Sequence, residues 1–403
     1  MDLLNENNNK KNKKTTGQKV VLTALIVSVI LFIGILVLLV ALSKQTTAIK
    51  YTIAINGEKF YVEDLEILNL ENGKNYIALR NISNKLNYKY YNGEFGTASE
   101  DKDKGYIDNG DYIIQFFANS PKIYKVEEEL DIDYQYYNLQ NEILEQNGNL
   151  YINLEDLQLA FNLIVNYSAE LNQTTIQTAE HWLSEQSTFF TNNNYTVNEE
   201  KENLRALSYG YVIATKDEKV GVINLQGQEI IGNKYNSIKF NEYTQNFIVS
   251  NTQKKFGIIT KESETIINMQ YEEIEILNYN PILYKVKKVS DYGVLNAKGE
   301  ILNEIKYDSI GYPKNNEKGI NYTLILPEIN GYLSKTIVVC QKGKYGLIDL
   351  EKGTEIIAPS LNAIYSVTDE GEDYYIVEIN NTDKAFLEDY VKALNSMTGN
   401  VNS

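Results

Sequence analysis

Few of the side chains that usually carry out catalysis occur in this sequence. His181 is the single histidine and Cys340 the single cysteine among 403 residues. A Ser-His-Asp triad or a multi-histidine zinc site requires histidine, and only His181 could supply it. One cysteine also excludes an intramolecular disulfide bond. These counts argue against histidine-based nucleophilic catalysis and against a zinc site.

Carboxylates are abundant, but no pair of them is set apart by its surroundings. Asp101, Asp103 and Asp108 could supply oxygen ligands for calcium, yet their spacing does not fit an EF-hand loop. The acidic run at 127–129 is typical of a solvated surface. Composition alone does not exclude a glycosidase that uses two carboxylates. We predict that the protein is not an enzyme, with no catalytic, cofactor-binding or metal-binding residues and no cofactor.

Aromatic side chains are the remaining candidates for ligand contact, because flat rings stack on sugars and also suit protein interfaces. The chain has 32 tyrosines and one tryptophan. The three candidates are Trp182, beside His181, and Tyr292 and Tyr345, each followed by a glycine. A Trp-His pair also commonly packs a linker helix against its domain, so both interpretations of Trp182 stand.

Tyr292 and Tyr345 belong to a unit that recurs in the C-terminal half. Four glycines mark the units at spacings of 36, 36 and 53 residues: Gly221, Gly257, Gly293 and Gly346. A tyrosine follows the first three glycines after fourteen residues: Tyr235, Tyr271 and Tyr307. The units contain alternating apolar segments bounded by turn residues, which indicates strands. Because one hairpin cannot bury its own apolar face, residues 209–380 are predicted to form an all-β array, either a β-hairpin solenoid or a propeller-like fold.

Two motifs connect this array to a known family. Residues 344–349 read KYGLID and residues 307–310 read YDSI. The array resembles WG repeats, which occur in tandem in many bacterial proteins. The family's tryptophan is replaced throughout, so the copies are degenerate: Val220, Phe256, Tyr292 and Tyr345. The resemblance implies a β-repeat fold but no single activity, so a binding function is expected by analogy alone.

Residues 49–178 are predicted to form a small α+β domain with two related halves. NGKNYIAL at 72–79 aligns with NGNLYINL at 147–154, an offset of 75 residues. Each copy contains an Asn-Gly turn, a short strand and apolar residues at helical spacing. A linker at 179–208 is expected to join this domain to the repeats. Residues 381–403 are expected to form a C-terminal tail, part of it helical.

The motifs of this domain also resemble a family. IAING at 53–57 is followed by YIALR at 76–80, a helix and a strand. The pattern resembles the copper amine oxidase N-terminal-like domain of bacterial surface proteins. Ala78 stands where the family has proline, and Asn87 where it usually has glycine. The resemblance covers roughly a third of the chain and implies a stalk or wall-associated module, without copper chemistry.

An unbroken apolar segment runs from Val20 to Leu42 and contains no charged residue. As a helix it would extend ~34 Å, enough to cross a hydrocarbon core of ~30 Å. Five lysines precede it within residues 1–19. This charge bias predicts a disordered cytoplasmic tail at 1–19, a single-pass transmembrane anchor at 20–42 and extracytoplasmic domains beyond it. A cleaved signal peptide normally has a shorter apolar region, so an uncleaved anchor is favoured.

The net charge of −16 repels phosphate backbones and argues against nucleic acid as a partner. We therefore expect a non-catalytic protein of the bacterial cell surface, anchored in the cell membrane. Its repeats would bind cell-wall polysaccharide or another exported protein. The alternative is a membrane-linked sensor or regulator that acts through a partner, and a cell-wall hydrolase is a third, less favoured expectation.

Overall fold

Antiparallel strands dominate the described part of the chain, as its many tyrosine, isoleucine and valine residues predict. The computed structural model describes residues 27–28, 31–33, 35, 50–69, 73–93, 103–127, 135–279, 281–311, 313–316, 319–322, 325–326, 336–369 and 372–398. The predicted tail 1–19, the carboxylate of Asp101 and the acidic residues 128–129 lie outside these ranges. The chain divides into two units, residues 1–52 with 167–173, and residues 53–166 with 174–403.

Most of the predicted anchor also lies outside the described residues. The six residues of segment 20–42 that are described are helical. No helix among the residues the structure describes is both long enough and apolar enough to cross a membrane. Elsewhere in the smaller unit, the amide of Thr52 donates to the carbonyl of Asn172 at 3.1 Å.

The described residues between 52 and 177 form short strands and two short helices. The strands are β1 (Thr52–Ile55), β2 (Glu58–Tyr61), β3 (Ile67–Asn69), β4 (Asn75–Ala78), β5 (Lys89–Asn92), β6 (Lys104–Asp108), β7 (Tyr112–Phe117), β8 (Lys122–Glu127), β9 (Gln135–Asn138), β10 (Leu144–Gln146), β11 (Asn149–Asn153), β12 (Ile164–Ser168) and β13 (Gln173–Gln177). The helices are α1 (Leu79–Leu86) and α2 (Leu157–Phe161), and 3₁₀ turns occupy Val62–Leu65 and Leu154–Asp156. The strand orders are β12-β13-β1-β2, β10-β11-β4-β3 and β5-β6-β7-β8-β9.

The two halves inferred from the 75-residue offset meet in the second of these sheets. Strands β4 and β11 pair antiparallel with Ile77 opposite Ile152, which are equivalent positions in the two copies. The helix after each strand ends at an asparagine in the left-handed conformation, Asn87 with φ 60° and Asn162 with φ 55°. Asparagine tolerates this conformation better than most residues. The two copies are therefore related by a local two-fold axis between β4 and β11.

The segment 179–208, predicted as a linker, forms α3 (Ala179–Asn192), β14 (Thr196–Val197) and α4 (Lys201–Ser208). The described strands that follow build five successive antiparallel sheets, here called repeat sheets 1 to 5. Sheet 1 joins β14 to β15 (Tyr211–Lys216), β16 (Lys219–Asn224) and β17 (Glu229–Tyr235). Sheet 2 comprises β18 (Ser237–Asn241), β19 (Asn246–Ser250), β20 (Phe256–Ile259) and β21 (Thr265–Tyr271).

Sheet 3 comprises β22 (Glu273–Tyr279), β23 (Ile282–Lys288), β24 (Asp291–Asn296) and β25 (Ile301–Tyr307). Sheet 4 contains β26 (Ser309–Ile310), β30 (Thr336–Gln341), β31 (Lys344–Asp349) and β32 (Glu355–Leu361). The insertion before β30 adds the hairpin of β27 (Pro313–Asn316) and β28 (Gly319–Tyr322), and β29 (Ile325–Leu326), which pairs with β30. Sheet 5 contains β33 (Ala363–Asp369), β34 (Glu372–Glu378) and β35 (Lys384–Phe386), followed by α5 (Leu387–Thr398).

Consecutive sheets bury their apolar faces against each other. The third strand of each sheet contacts the first strand of the next. Between sheets 2 and 3, one buried cluster unites Ile258 and Tyr271 with Ile274 and Tyr284. The repeat tyrosines belong to such clusters and are 6%, 4% and 0% exposed in chain order: Tyr235, Tyr271 and Tyr307. The prediction of an all-β repeat array is confirmed, and these tyrosines are its core.

Each repeat glycine lies on the third strand of its sheet, where a β-bulge shifts the register between the third and fourth strands. In sheet 2, Phe256 pairs with Tyr271 and Ile258 with Ile267, so the register shifts at Gly257. A Cβ atom on Gly257 would lie 2.4 Å from the Ile267 carbonyl oxygen. At Gly221 and Gly346 a Cβ atom would likewise lie 2.7 and 2.3 Å from a carbonyl oxygen of the fourth strand. At Gly293 it would lie 2.7 Å from the Cγ1 atom of Ile305 and 3.0 Å from the Cα atom of that residue. The recurrent glycine is therefore explained by close approach of two strands.

Sheet 5 provides an internal comparison for this explanation. In sheets 1 to 4, one residue of the second strand lies opposite the repeat glycine, for example Val339 opposite Gly346. In sheet 5 the residue equivalent to Val339 is Val377, and it pairs with Ala385 instead of a glycine. The described part of sheet 5 has three strands, and α5 follows the third. Because no described fourth strand crosses Ala385, a side chain is tolerated at the glycine position.

Helices cover the first and last sheets. In later sheets, the turn glycine before the fourth strand contacts the preceding sheet, as Gly353 contacts Leu302. In sheet 1, the equivalent Gly227 contacts Phe189 of α3 instead. Leu387 and Val391 of α5 are buried in the cluster of sheets 4 and 5. Helix α3 thus occupies the place of a preceding repeat, and α5 that of a following strand.

One turn of the array departs from this glycine rule and gives a testable prediction. Ser263 has a φ of 65°, whereas Gly227 and Gly299, 36 residues before and after it, both have φ 79°. Because glycine adopts positive φ without strain, Ser263→Gly should raise the free energy of unfolding by about 1 kcal/mol, as measured by urea denaturation. Ser290→Gly, at a turn position without positive φ, should give no gain. Equal effects of the two substitutions would contradict the prediction.

Candidate functional site

The structure places the predicted ligand-contact tyrosine Tyr292 on sheet 3, half-buried. The ammonium groups of Lys285 and Lys287 lie 5.6 and 5.2 Å from its ring centroid. Both lysines also form ion pairs, with Glu275 at 2.5 Å and with Glu273 at 2.8 Å. Hydrogen bonds to Glu273 and Tyr292 raise the pKa of Lys287. The ring of Tyr292 is therefore bordered by paired charges.

The other two predicted aromatic contacts lie elsewhere. Tyr345 is half-buried on sheet 4, against the cluster that α5 completes. Trp182 is 7% exposed and lies 6.1 Å from the ring of Phe190, in the cluster between α3 and sheet 1. The three candidates thus pack against three different buried clusters. Their role in ligand contact stays a prediction.

A cavity of about 330 Å³ lies beside the ends of α1 and α2 and the starts of α3 and α4. Its apolar lining includes Leu86 and Phe161, which are equivalent residues in the two halves of the duplicated domain. Leu163 and Leu204 extend this surface. The ring of Tyr88 lies 6.1 Å from that of Phe161. The cavity is therefore lined partly by the equivalent C-terminal ends of α1 and α2, one from each half of the domain.

Neutral polar side chains form much of the remaining lining. Asn56 accepts a hydrogen bond from the amide of Thr178 at 2.9 Å, which fixes the chain just before α3. Asn109 accepts from the amide of Tyr112 at 2.8 Å. Asn162 also lines the cavity, and its buried Oδ1 has no hydrogen-bond partner among the described residues. The oxygens of Asn56 and Asn109 are thus engaged by the backbone, which leaves their amino groups as donors for a ligand.

The charged residues of the lining are mostly paired. Lys201 lies 3.1 Å from Asp111, and both side chains are partly exposed. Arg205 lies 4.0 Å from Glu242, and both of these side chains are largely buried. Glu180 is exposed in the first turn of α3. Burial, followed by the charges of Glu180 and Asp111, raises the pKa of Tyr88, so its phenol stays protonated at neutral pH.

Arg205 connects the cavity to a buried group of charged and aromatic residues, here called the Lys125 cluster: Lys125, Arg205, Glu242, Tyr112, Tyr137 and Tyr243. The ammonium group of Lys125 donates to the carbonyl of Leu159 and lies 4.8 Å from the ring centroid of Tyr137. The Tyr137 hydroxyl donates to Glu242 at 3.3 Å. Burial lowers the pKa of Lys125 to about 8, and Glu242 opposes this effect.

Sequence reasoning missed both the cavity and the Lys125 cluster. Their residues come from separate turns and strands that no periodicity connects. One available signal was the aligned pair of Asn87 and Asn162, which marks equivalent helix ends. Among the described residues, no group of three or more His, Cys, Asp and Glu side chains could hold a metal ion.

Stacked sheets of similar strand order define a β-repeat protein. The family described as "WG containing repeat" matches residues 345–382, from the third strand of sheet 4 into sheet 5. The predicted WG repeat is therefore confirmed for this segment. No curated protein matches the chain.

Three solved structures show distant similarity. A complex of BBS1N with ARL6DN, soaked with mercury, is 7% identical with a TM-score of 0.18, over 66% of this chain and 84% of that one. KlHsv2 with loop 6CD replaced by a Gly-Ser linker is 7% identical with a TM-score of 0.22, over 72% and 88%. A eukaryotic initiation factor is 9% identical with a TM-score of 0.24, over 69% and 68%.

Proposed function

We propose that this protein is a non-catalytic binding or scaffold protein, anchored in a bacterial cell membrane with its folded domains outside. Its repeat sheets would bind cell-wall polysaccharide or another exported protein, and not nucleic acid. The observation that carries the proposal is the stack of similar sheets joined third strand to first strand. Such arrays present extended surfaces, which proteins use to bind large partners.

We further propose that the array is an open solenoid rather than a propeller-like ring. In a ring, the first and last sheets would cover each other. Here Phe189 of α3 packs on sheet 1, and Leu387 of α5 packs on sheets 4 and 5. Helical end caps of this kind support an open array, because terminal repeats must shield an otherwise exposed apolar face.

Membrane anchorage through residues 20–42, with the N-terminus in the cytoplasm, is part of the same proposal. The described residues of this segment are helical and expose large apolar side chains. Leu31 is 60% exposed and Phe32 65% exposed. Water-exposed side chains of this kind would be unfavourable, whereas a lipid environment would cover them. The asymmetric distribution of lysines supports the orientation.

The region 49–178 is proposed to act as a stalk similar to the copper amine oxidase N-terminal-like domain of bacterial surface proteins. The antiparallel pairing of Ile77 with Ile152 supports a domain built from two related halves. No copper chemistry is proposed for it, since the sequence contains one histidine. The stalk would hold the repeats away from the membrane.

Binding to purified cell-wall material tests the function. The full chain should be retained on this material, and Tyr292→Leu should lower retention at least about twofold, because an aromatic contact is lost. Tyr307→Phe is the matched control, since Tyr307 pairs with Tyr292 but is fully buried. A folded protein that is not retained contradicts the glycan version of the proposal. If Tyr292→Leu and Tyr307→Phe lower retention equally, the assignment of Tyr292 as a ligand contact is contradicted.

A further inference from the structure

We propose that the cavity beside α1, α2, α3 and α4 binds one neutral, hydroxyl-rich sugar unit. This site is separate from the surface of the repeat array, and it does not depend on what the repeats bind. Three properties of the cavity carry the inference: its size, its combination of ring and amide groups, and the pairing of its charges.

The size suits a single small ligand. A volume of about 330 Å³ falls at the lower end of the range for small-molecule sites. It would hold about ten water molecules or one pyranose ring with its substituents, at roughly 30 Å³ per water. A disaccharide would have to project through the opening. The cavity therefore predicts recognition of one sugar unit, either free or at the end of a chain.

The lining combines the two kinds of contact that sugars require. The half-buried ring of Tyr88 offers apolar surface for the C–H groups of a pyranose, and the buried ring of Phe161 packs beside it. Asn56, Asn109 and Asn162 place carboxamide groups around this surface. The oxygens of Asn56 and Asn109 already accept backbone hydrogen bonds, so these two side chains present N–H donors to a ligand hydroxyl, and Asn162 adds an acceptor.

The charges of the lining favour a neutral ligand over an ionic one. Asp111 is paired with Lys201, and Arg205 with Glu242. A charged ligand would have to compete with these pairs. Glu180 is exposed, so water and salt screen its field.

One buried acceptor lacks a donor until a ligand enters. Oδ1 of Asn162 has no hydrogen-bond partner among the described residues, and leaving a buried polar atom in this state costs free energy. Rotation of the carboxamide would turn this oxygen toward a ligand hydroxyl. Asn162 therefore gains a hydrogen bond on binding, which makes it the residue to test.

Titration by NMR tests the site, with N-acetylglucosamine and glucose as neutral probes and glucosamine as a cationic probe. The full chain is kept in a detergent without a sugar headgroup. A neutral probe should bind, and Asn162→Gly should weaken binding about fivefold to tenfold, equivalent to one lost hydrogen bond. Glycine suits the positive φ of this position, so the fold is retained.

Asn87→Gly is the matched control. Asn87 has the same left-handed conformation at the equivalent position of the other half, and it does not line the cavity. This variant should bind the neutral probe as the unchanged protein does. The proposal is overturned if neither neutral sugar binds, if glucosamine binds more tightly than N-acetylglucosamine, or if the two glycine variants lose affinity equally. None of these results bears on retention of the repeats by wall material.

Discussion

Gly257→Ala is expected to lower the free energy of unfolding of repeat sheets 2 and 3 by about 3 kcal/mol, at the upper end for an overpacked core. The new methyl group would lie 2.4 Å from the Ile267 carbonyl oxygen and 2.8 Å from the Met269 amide nitrogen. Both atoms belong to the backbone of β21 and cannot move by a change of rotamer. Strand β21 would have to separate from β20, which would expose Tyr271 and Ile267.

Hydrogen exchange of the β20 and β21 amides, together with urea denaturation followed by circular dichroism, measures this effect. Fluorescence is less suitable, because the single tryptophan, Trp182, reports on the cap at sheet 1. Repeat arrays can unfold in parts, so local exchange identifies which sheets respond.

Gly232→Ala is the control for this substitution. Gly232 lies on β17, and the first atom that its new methyl group would approach is the flexible end of the Glu229 side chain, at 3.3 Å. We expect a change below about 1 kcal/mol there. If Gly257→Ala were equally mild, close approach of the strands would not explain the repeated glycine. Ala385 occupies the glycine position of sheet 5, where no fourth strand is described, which agrees with this explanation.

The repeat array could be predicted because each unit repeats the same local requirements. A glycine at the strand crossing and a buried tyrosine fourteen residues later recur in the sequence, so the period is visible without any structure. The end caps carry no such signal. Phe189 resembles any apolar helix residue, and only the structure shows that it packs where Ile266 packs in a later repeat.

The cavity was unpredictable for a different physical reason. Asn56, Asn109 and Asn162 each occupy an ordinary turn or helix end, and such residues are common in loops. Nothing local indicates that three turns separated by about fifty residues converge. A binding site assembled by tertiary contacts produces little recognisable pattern in a single sequence, whereas a periodic core produces a strong pattern.

Glu242→Gln is expected to destabilise the protein by about 3 kcal/mol at neutral pH, because it leaves buried positive charge without its partner. Glu242 is 8% exposed and lies 4.0 Å from Arg205, and its charge also favours the protonated form of Lys125. The substitution preserves shape, and Tyr137 can still donate to the amide oxygen. The loss of stability therefore reports the removal of the charge rather than a change in packing.

Glu275→Gln is the matched surface control. Glu275 pairs with Lys285 at 2.5 Å, but its side chain is 57% exposed. Exposed pairs contribute at most about 1 kcal/mol, because water and salt screen them. If both substitutions had the same effect, the buried position of Glu242 would not matter.

The cost of Glu242→Gln should also fall as the pH rises from 7 to 9.5. The folded protein releases the Lys125 proton near its pKa of about 8, whereas the unfolded chain holds it to about 10.5. Between these values the unfolded state binds more protons, so Lys125 makes the unchanged protein more stable as the pH increases. At pH values well above this pKa, Lys125 is mostly neutral in the folded protein, and only the loss of the Arg205 interaction remains. Urea denaturation of both proteins at several pH values measures this difference, and a cost independent of pH would show that Lys125 does not interact with Glu242.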